Sequence, residues 1–207
     1  VHVPYGTMSV GGEKLASRTG NVILLDDLFA EAISKAEAIM EEKNASLPNR
    51  HETAVAVGTG AVIFNALSGS RIKDTNFTWE NALSFDGNTG PYVQYTYARA
   101  SSVLRRAACP DADAAAGYVP APDETALVKT LLRFPARVDA ALCEYEPSII
   151  SRYVLDVCAA YNVFYHNCPI LRSSGAEQAF RLRLTAAARQ IIGKSLDLLT
   201  IRRTEEI

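Results

Sequence analysis

The feature that most constrains this chain is a spacing. From Pro147 onward, apolar side chains return every three or four residues, first as Ile150, Val154, Val157, Tyr161 and Phe164. Beyond Pro169 they resume as Phe180, Leu184, Ala187, Ala188, Ile191, Ile192 and Leu196. Residues so spaced share one face of an α-helix. Two long helices with one apolar face each need other helices to cover them. Ser174 and Glu177 stand at capping-box spacing where the second begins.

Further stripes supply the covering helices. Asp26 or Asp27 caps a helix carrying Leu28, Ala32, Ile33, Ala36, Ile39 and Met40, and Asn44–Pro48 stops it. A second is expected over Glu52–Leu67, where Gly58 and Gly60 imply close approach of a neighbouring backbone. Thr78 caps a short helix reaching Phe85, and "DGNTGP" (Asp86–Pro91) is a turn. Pro91 suits the first turn of a helix running to Ala108. After the Pro- and Ala-rich linker Cys109–Glu124, a helix from Asp123 carries Leu127, Leu131, Phe134, Val138 and Leu142, kinked or split at Pro135. Only the beginning reads differently: "VHVPYG" and "NVILL" look like strands flanking a glycine-rich loop. The fold class is mainly α, an antiparallel helical bundle preceded by a small α/β remnant.

Composition narrows the function. The 48% apolar content suits a globular domain, and no uncharged apolar run is long enough to span a membrane. The chain opens on Val1 with no secretory leader, which points to a fragment whose natural beginning lies upstream. Cys109, Cys143, Cys158 and Cys168 lack zinc-type spacing, and His2, His51 and His166 are far apart, so no metal site is expected. The cysteines read as reduced thiols of a cytoplasmic protein. A net charge of −2 argues against a generally basic nucleic-acid binder. Yet Thr89–Ala108 holds Arg99, Arg105 and Arg106 without one acid.

Three segments carry candidate chemistry. "GGEKLASRTGN" (Gly11–Asn21) has glycines and cations suited to phosphate, although it is not a Walker motif and a plain surface loop remains the simpler alternative. On a helix, Tyr92, Tyr95, Arg99, Ser102 and Arg106 form one stripe. Aromatics interleaved with arginines suit RNA, or else tyrosines buried in the bundle. "YNVFYHNCPIL" (Tyr161–Leu171) ends a helix with aromatics, Asn162 and His166, either an RNA contact or a hydrophobic corner. No nucleophile–base–acid constellation is present.

Five stretches, in order, resemble the C-terminal part of arginyl-tRNA synthetases: "EKLASRTGNVILLDDL", "GTGAVIFNAL", "RIKDTNFTWENALSFDGNTGPYVQYTYARASSVLRR", "PSIISRYVLDVCAAYNVFYHNCPIL" and "RLRLTAAARQIIGKSLDLLTI". The resemblance implies residues 1–50 as the tail of the catalytic domain with its signature loop, and residues 51–207 as connecting helices plus the helical anticodon-binding domain. Lys14-Leu15-Ala16-Ser17-Arg18 resembles the KMSKS-type loop of class I synthetases in a relaxed form, with Ser17 where the second lysine is usual. It implies Lys14 and Arg18 as catalytic cations and Lys14, Ser17, Arg18 and Gly20 around the ATP triphosphate. It also implies Tyr92, Tyr95, Arg99, Arg106, Asn162, Tyr165 and His166 as tRNA contacts. The implied substrates are ATP with Mg2+, L-arginine and tRNA(Arg), in a cytoplasmic monomer that binds neither DNA nor membranes. No HIGH-type signature occurs, so the chain alone is expected not to activate arginine. The closing "TIRRTEEI" departs from the family's usual ending. Competing readings are a stand-alone tRNA-binding module, a cysteinyl-type class I relative, and a purely structural bundle.

Overall fold

The computed structural model describes residues 1–14, 23–44, 46–107 and 115–207. Eight helices dominate them: α1 (Leu25–Lys43), α2 (Arg50–Ser68), α3 (Trp79–Ala82), α4 (Gly90–Arg106), α5 (Pro122–Leu131), α6 (Phe134–Glu144), α7 (Ser148–Asn167) and α8 (Gly175–Leu198). Three short strands, β1 (Met8–Val10), β2 (Glu13–Lys14) and β3 (Thr75–Phe77), form a sheet in the order β2-β1-β3. The β1–β2 pair is antiparallel and β1–β3 parallel. The expected mainly-α bundle with a small α/β remnant is what forms.

Several local expectations need correcting. "VHVPYG" is not a strand; the chain enters the sheet only at Met8. Before that it is tied to the segment leading into β3, with the Gly6 N–H donating to the Arg71 carbonyl at 2.7 Å. A Cβ on Gly6 would lie 2.2 Å from the Lys73 carbonyl oxygen, so only glycine permits this approach. Within "NVILL", Leu25 already begins α1, while Ile23 and Leu24 are exposed and non-strand; Asn21 and Val22 lie outside the described residues. Asp26 and Asp27 sit inside the first turn of α1 and do not cap it. There they still favour the positive end of the helix dipole. Thr78 precedes α3 without a side-chain cap, and that helix ends at Ala82, short of Phe85. Ser174 makes no cap bond either, and Glu177, which would complete the box, pairs with Arg181 at 2.6 Å. Pro135 marks a true break, falling in the first turn of a separate α6. Leu142 and Ala187, expected inward, face solvent.

The core has two halves joined through α2. On one side α1 and α2 pack Ala36, Met40, Val57 and Ala61 together, with Leu28, Val62 and Phe77 continuing the layer to β3. Gly58 makes this contact close: a Cβ there would meet the Ala32 backbone at 2.8 Å. On the other side α4, α7 and α8 bury Val93, Tyr97, Val154, Val157, Ile192 and Leu196 against Phe64 of α2. Tyr161, Phe164, Leu182 and Ala188 extend that core toward α5. Each fully buried side chain of this size contributes about 1.5–3 kcal/mol. Past α8, Thr200 adopts φ +59° and turns the chain back. The returning tail is stitched to α4 by Gln94, whose buried amide donates to the Ala56 and Arg202 carbonyls at 3.0 and 2.8 Å.

Candidate nucleic-acid interface

The sequence stripe on α4 starts from a well-built helix end. The Thr89 hydroxyl accepts from the Tyr92 N–H at 3.1 Å and donates to the Ser84 carbonyl at 2.5 Å, so cap and preceding turn hold each other. This fixes the rotation of α4, and with it the face on which Tyr92, Tyr95 and Arg99 emerge. The last turns of α7 run beside that face. Their inward positions, Tyr161, Phe164 and the capping Cys168, belong to the core, while Tyr165 and His166 turn outward.

Two sequence segments some seventy residues apart meet there. The Arg99 guanidinium lies 4.9 Å from the Tyr95 ring centroid and 5.2 Å from that of Tyr165. Its Nη1 donates to Asn162 Oδ1 at 2.5 Å, and Asn162 Nδ2 donates to the Tyr92 hydroxyl at 2.9 Å. Burial pushes the Tyr92 phenol above its ordinary pKa, and the Asn162 hydrogen bond opposes this only in part. Tyr92 therefore stays a neutral acceptor for the amide. Tyr92, Tyr95, Arg99, Asn162 and Tyr165 thus form one unit, with Tyr95 and Tyr165 still 38% and 41% exposed. Arg106 and His166 stand apart from the stack, on the lining of the cleft beside it.

That cleft encloses about 830 Å³ between α4, the turn after α7, the Asn44–Pro48 elbow and the C-terminal tail. Its polar rim is of mixed sign. Arg105 pairs with Glu206 at 2.9 Å, and Glu205 accepts from Arg189 at 2.6 Å and from the Tyr97 hydroxyl at 3.0 Å. Arg106 and Arg172 line the cleft without an ion-pair partner among the described residues. A smaller hollow of about 490 Å³ shares Tyr95 and Arg99 with it; there Lys43 sits 5.0 Å over the Phe85 ring. Sequence reasoning missed Arg172, Lys43 and the Asn44–Pro48 elbow. Arg172 could have been found, lying just past the aromatic "YNVFYHNCPIL"; the α1–α2 elbow reaches the cleft only through tertiary packing.

At the opposite end of α7 a second junction forms. Arg71 donates from Nε to the Tyr145 carbonyl at 2.9 Å and from Nη1 to the Pro4 carbonyl at 3.0 Å. Glu146 accepts from the Ser70 hydroxyl at 3.1 Å and from the Arg71 N–H at 3.3 Å. The approach to the β1–β2 hairpin is thereby tied to the α6–α7 corner. Lys14 closes β2, but only its backbone is described; Ser17, Arg18 and Gly20 lie outside the described residues. Of the expected phosphate loop, the described part, Gly11–Lys14, is the turn and second strand of this hairpin. Its two turn glycines, Gly11 and Gly12, have φ of +61° and +86°. Asn76 accepts the Gly12 N–H at 2.9 Å.

Cys143, Cys158 and Cys168 are free thiols, and Cys109 lies outside the described residues. Among the described residues no group of three or more His, Cys, Asp or Glu could hold a metal ion, and no helix is long and apolar enough to cross a membrane.

Comparison with known proteins gives a consistent picture. Residues 93–207 match the family described as the DALR anticodon binding domain, and residues 1–79 match the catalytic domain of class I (R) tRNA synthetases. Over its whole length the chain is 40% identical to an arginine–tRNA ligase of Alkaliphilus metalliredigens, covering 37% of that protein. It is 41% identical to one of Clostridium beijerinckii, again covering 37%. Its fold superposes on the arginyl-tRNA synthetase of Thermus thermophilus with a TM-score of 0.93 and 33% identity, covering all of this chain and 35% of that one. The chain thus spans little more than a third of the relatives it matches.

Proposed function

Because this chain belongs to the arginyl-tRNA synthetase family and corresponds to its C-terminal portion, we propose that its helical part grips tRNA(Arg) at the anticodon. In this reading residues 1–50 are the tail of the catalytic domain and residues 51–207 the connecting helices and anticodon-binding domain. The observation that carries it is the convergence of α4 and α7 on the Tyr95–Arg99–Tyr165 stack beside an open cleft. Unpaired anticodon bases offer π-faces to tyrosines and edges to an amide such as Asn162. Arg106 and Arg172 supply positive charge for the backbone, and His166 a ring nitrogen at the rim.

The first fifty residues bring the second role. Lys14 and Arg18, with Ser17 and the amides near Gly20, close on the ATP triphosphate and stabilise the charge of departing pyrophosphate. The whole protein then joins L-arginine to ATP, presented with Mg2+, giving arginyl-adenylate and pyrophosphate. The arginyl group passes to the terminal adenosine of the tRNA, releasing AMP. We place that protein in the cytoplasm as a monomer, with tRNA rather than DNA or a membrane as its macromolecular partner. The mild acidity of the chain supports a local and specific RNA surface over a general one.

The test is binding of this chain to a tRNA(Arg) transcript beside one with the middle anticodon base changed, at two salt concentrations. Binding that weakens at least about tenfold with the base change, and again with Arg99→Ala or Tyr165→Ala, supports the reading. Equal affinity for both transcripts, with no effect of either substitution, overturns it.

A further inference from the structure

We propose that Arg181, held by Glu124, is a positioning residue for the cleft: it fixes the Pro169–Arg172 turn from behind, and with it the wall that carries Arg172. This rests on the cleft being the RNA site proposed above. Neither residue reaches the cleft surface. Glu124 is 0% and Arg181 7% exposed, so the pair is buried.

The geometry shows what the burial secures. Arg181 Nε donates to Glu124 Oε1 at 2.6 Å, Nη2 pairs with Glu177 at 2.6 Å, and Nη1 donates to the Pro169 carbonyl at 2.9 Å. Glu124 in turn accepts from the Tyr118 hydroxyl at 3.0 Å and the Ala121 N–H at 2.7 Å. A second tie runs from Asn167 Nδ2 to Asp123 Oδ2 at 2.9 Å. The first turn of α5 therefore holds the turn between α7 and α8 from two directions.

That turn has little backbone bonding of its own. Pro169 has no N–H, and Ile170 and Leu171 offer their carbonyls to the side chains of Ser173 and Gln178. A buried ion pair is a poor source of stability, since an apolar pair of the same volume often serves as well. What the guanidinium adds is direction: its planar fork meets a carboxylate and a carbonyl at fixed angles, which an ammonium cannot do. Pro169, Ile170, Leu171 and Arg172 all line the cleft.

The test is Arg181→Lys in the 207-residue chain, crossed with Arg172→Ala. Arg181→Lys keeps the charge and loses the fork. It should weaken tRNA(Arg) binding about fivefold in the parent but less than about 1.5-fold once Arg172 is alanine, because both changes remove the same contact. Parent-like affinity, or losses that multiply in the double variant, overturns the proposal. Backbone order parameters separate it from the reading beneath it. Arg181→Lys should lower those of residues 170–173 from rigid values of about 0.85 toward about 0.6 while α4 is unchanged, whether or not RNA binds. Unaltered order there overturns the positioning role, whereas absence of RNA binding by the parent overturns only the reading of the cleft. Should Arg181→Lys fail to fold, Tyr118→Phe removes one bond to Glu124 and no charge. It should then give the same pattern at about twofold, and no change would overturn the proposal.

Discussion

Thr200 carries a conformation its side chain resists. At φ +59° it occupies the left-handed region, where a β-branched residue crowds its own backbone by about 1–2 kcal/mol. The fold accepts this because the reversal lays the tail back along α4, where Gln94 holds the Arg202 carbonyl. Glycine relieves the crowding, while its looser unfolded chain returns about 0.5–1 kcal/mol of the gain. Thr200→Gly should therefore stabilise the chain by about 0.5–1 kcal/mol in urea denaturation. A loss of stability would mean that the Thr200 side chain contributes something its contacts do not display. No sequence rule flags this position, because the residue that would announce a left-handed turn is absent. Tyr92, Tyr95 and Arg99 are different. Helical spacing put them on one stripe, but only packing brought Asn162 and Tyr165 against it.

At the scale of elements, the α1–α2 pair sets two effects against each other. Alanine at position 58 gains about 1 kcal/mol of helix propensity over glycine. Its Cβ would stand 2.8 Å from the Ala32 carbonyl carbon, and both helices must shift to admit it, at about 1–3 kcal/mol. The steric term wins. Gly58→Ala should lower stability by up to about 2 kcal/mol in urea unfolding, and an increase would show that the two helices separate freely. Gly58 was legible as a sign of close backbone approach, though not that α1 supplies it, whereas a Cβ at Gly60 would meet the Gln94 and Ile201 side chains. The long helices were legible, because their apolar period is sustained and the cores of α7 and α8 obey it. What sequence misjudged was local and polar. Ser174 and Glu177 had capping-box spacing, yet Glu177 found a stronger partner in Arg181. Leu142 kept helical phase on α6, a helix with no fully buried residue.

Across the whole molecule, the Arg71–Glu146 junction makes stability depend on pH. Burial alone would raise the Glu146 carboxyl. The hydrogen bonds from Ser148, Ser70 and the Arg71 N–H outweigh it, so Glu146 titrates below the ordinary carboxylate range. A carboxyl depressed on folding favours the folded state above its unfolded value of about 4.3. That contribution is lost as pH falls through the folded value. The parent should melt at higher temperature than Glu146→Gln at pH 7, and the two melting curves should converge as pH drops below about 4.3. A constant difference down to acid pH would assign the effect to packing.

The placement of α7 has one more consequence. This helix of 20 residues begins beside Glu146 and ends at the cleft, so it spans about 30 Å between the two junctions. Each residue along it also advances about 100° around the axis. Its length is therefore quantised: one residue inserted or deleted between Arg152 and Tyr161 would swing Asn162 and Tyr165 away from Arg99 while leaving the Arg71 end in place. Among natural variants of this chain, length changes should collect in the linker before α5 and spare the middle of α7.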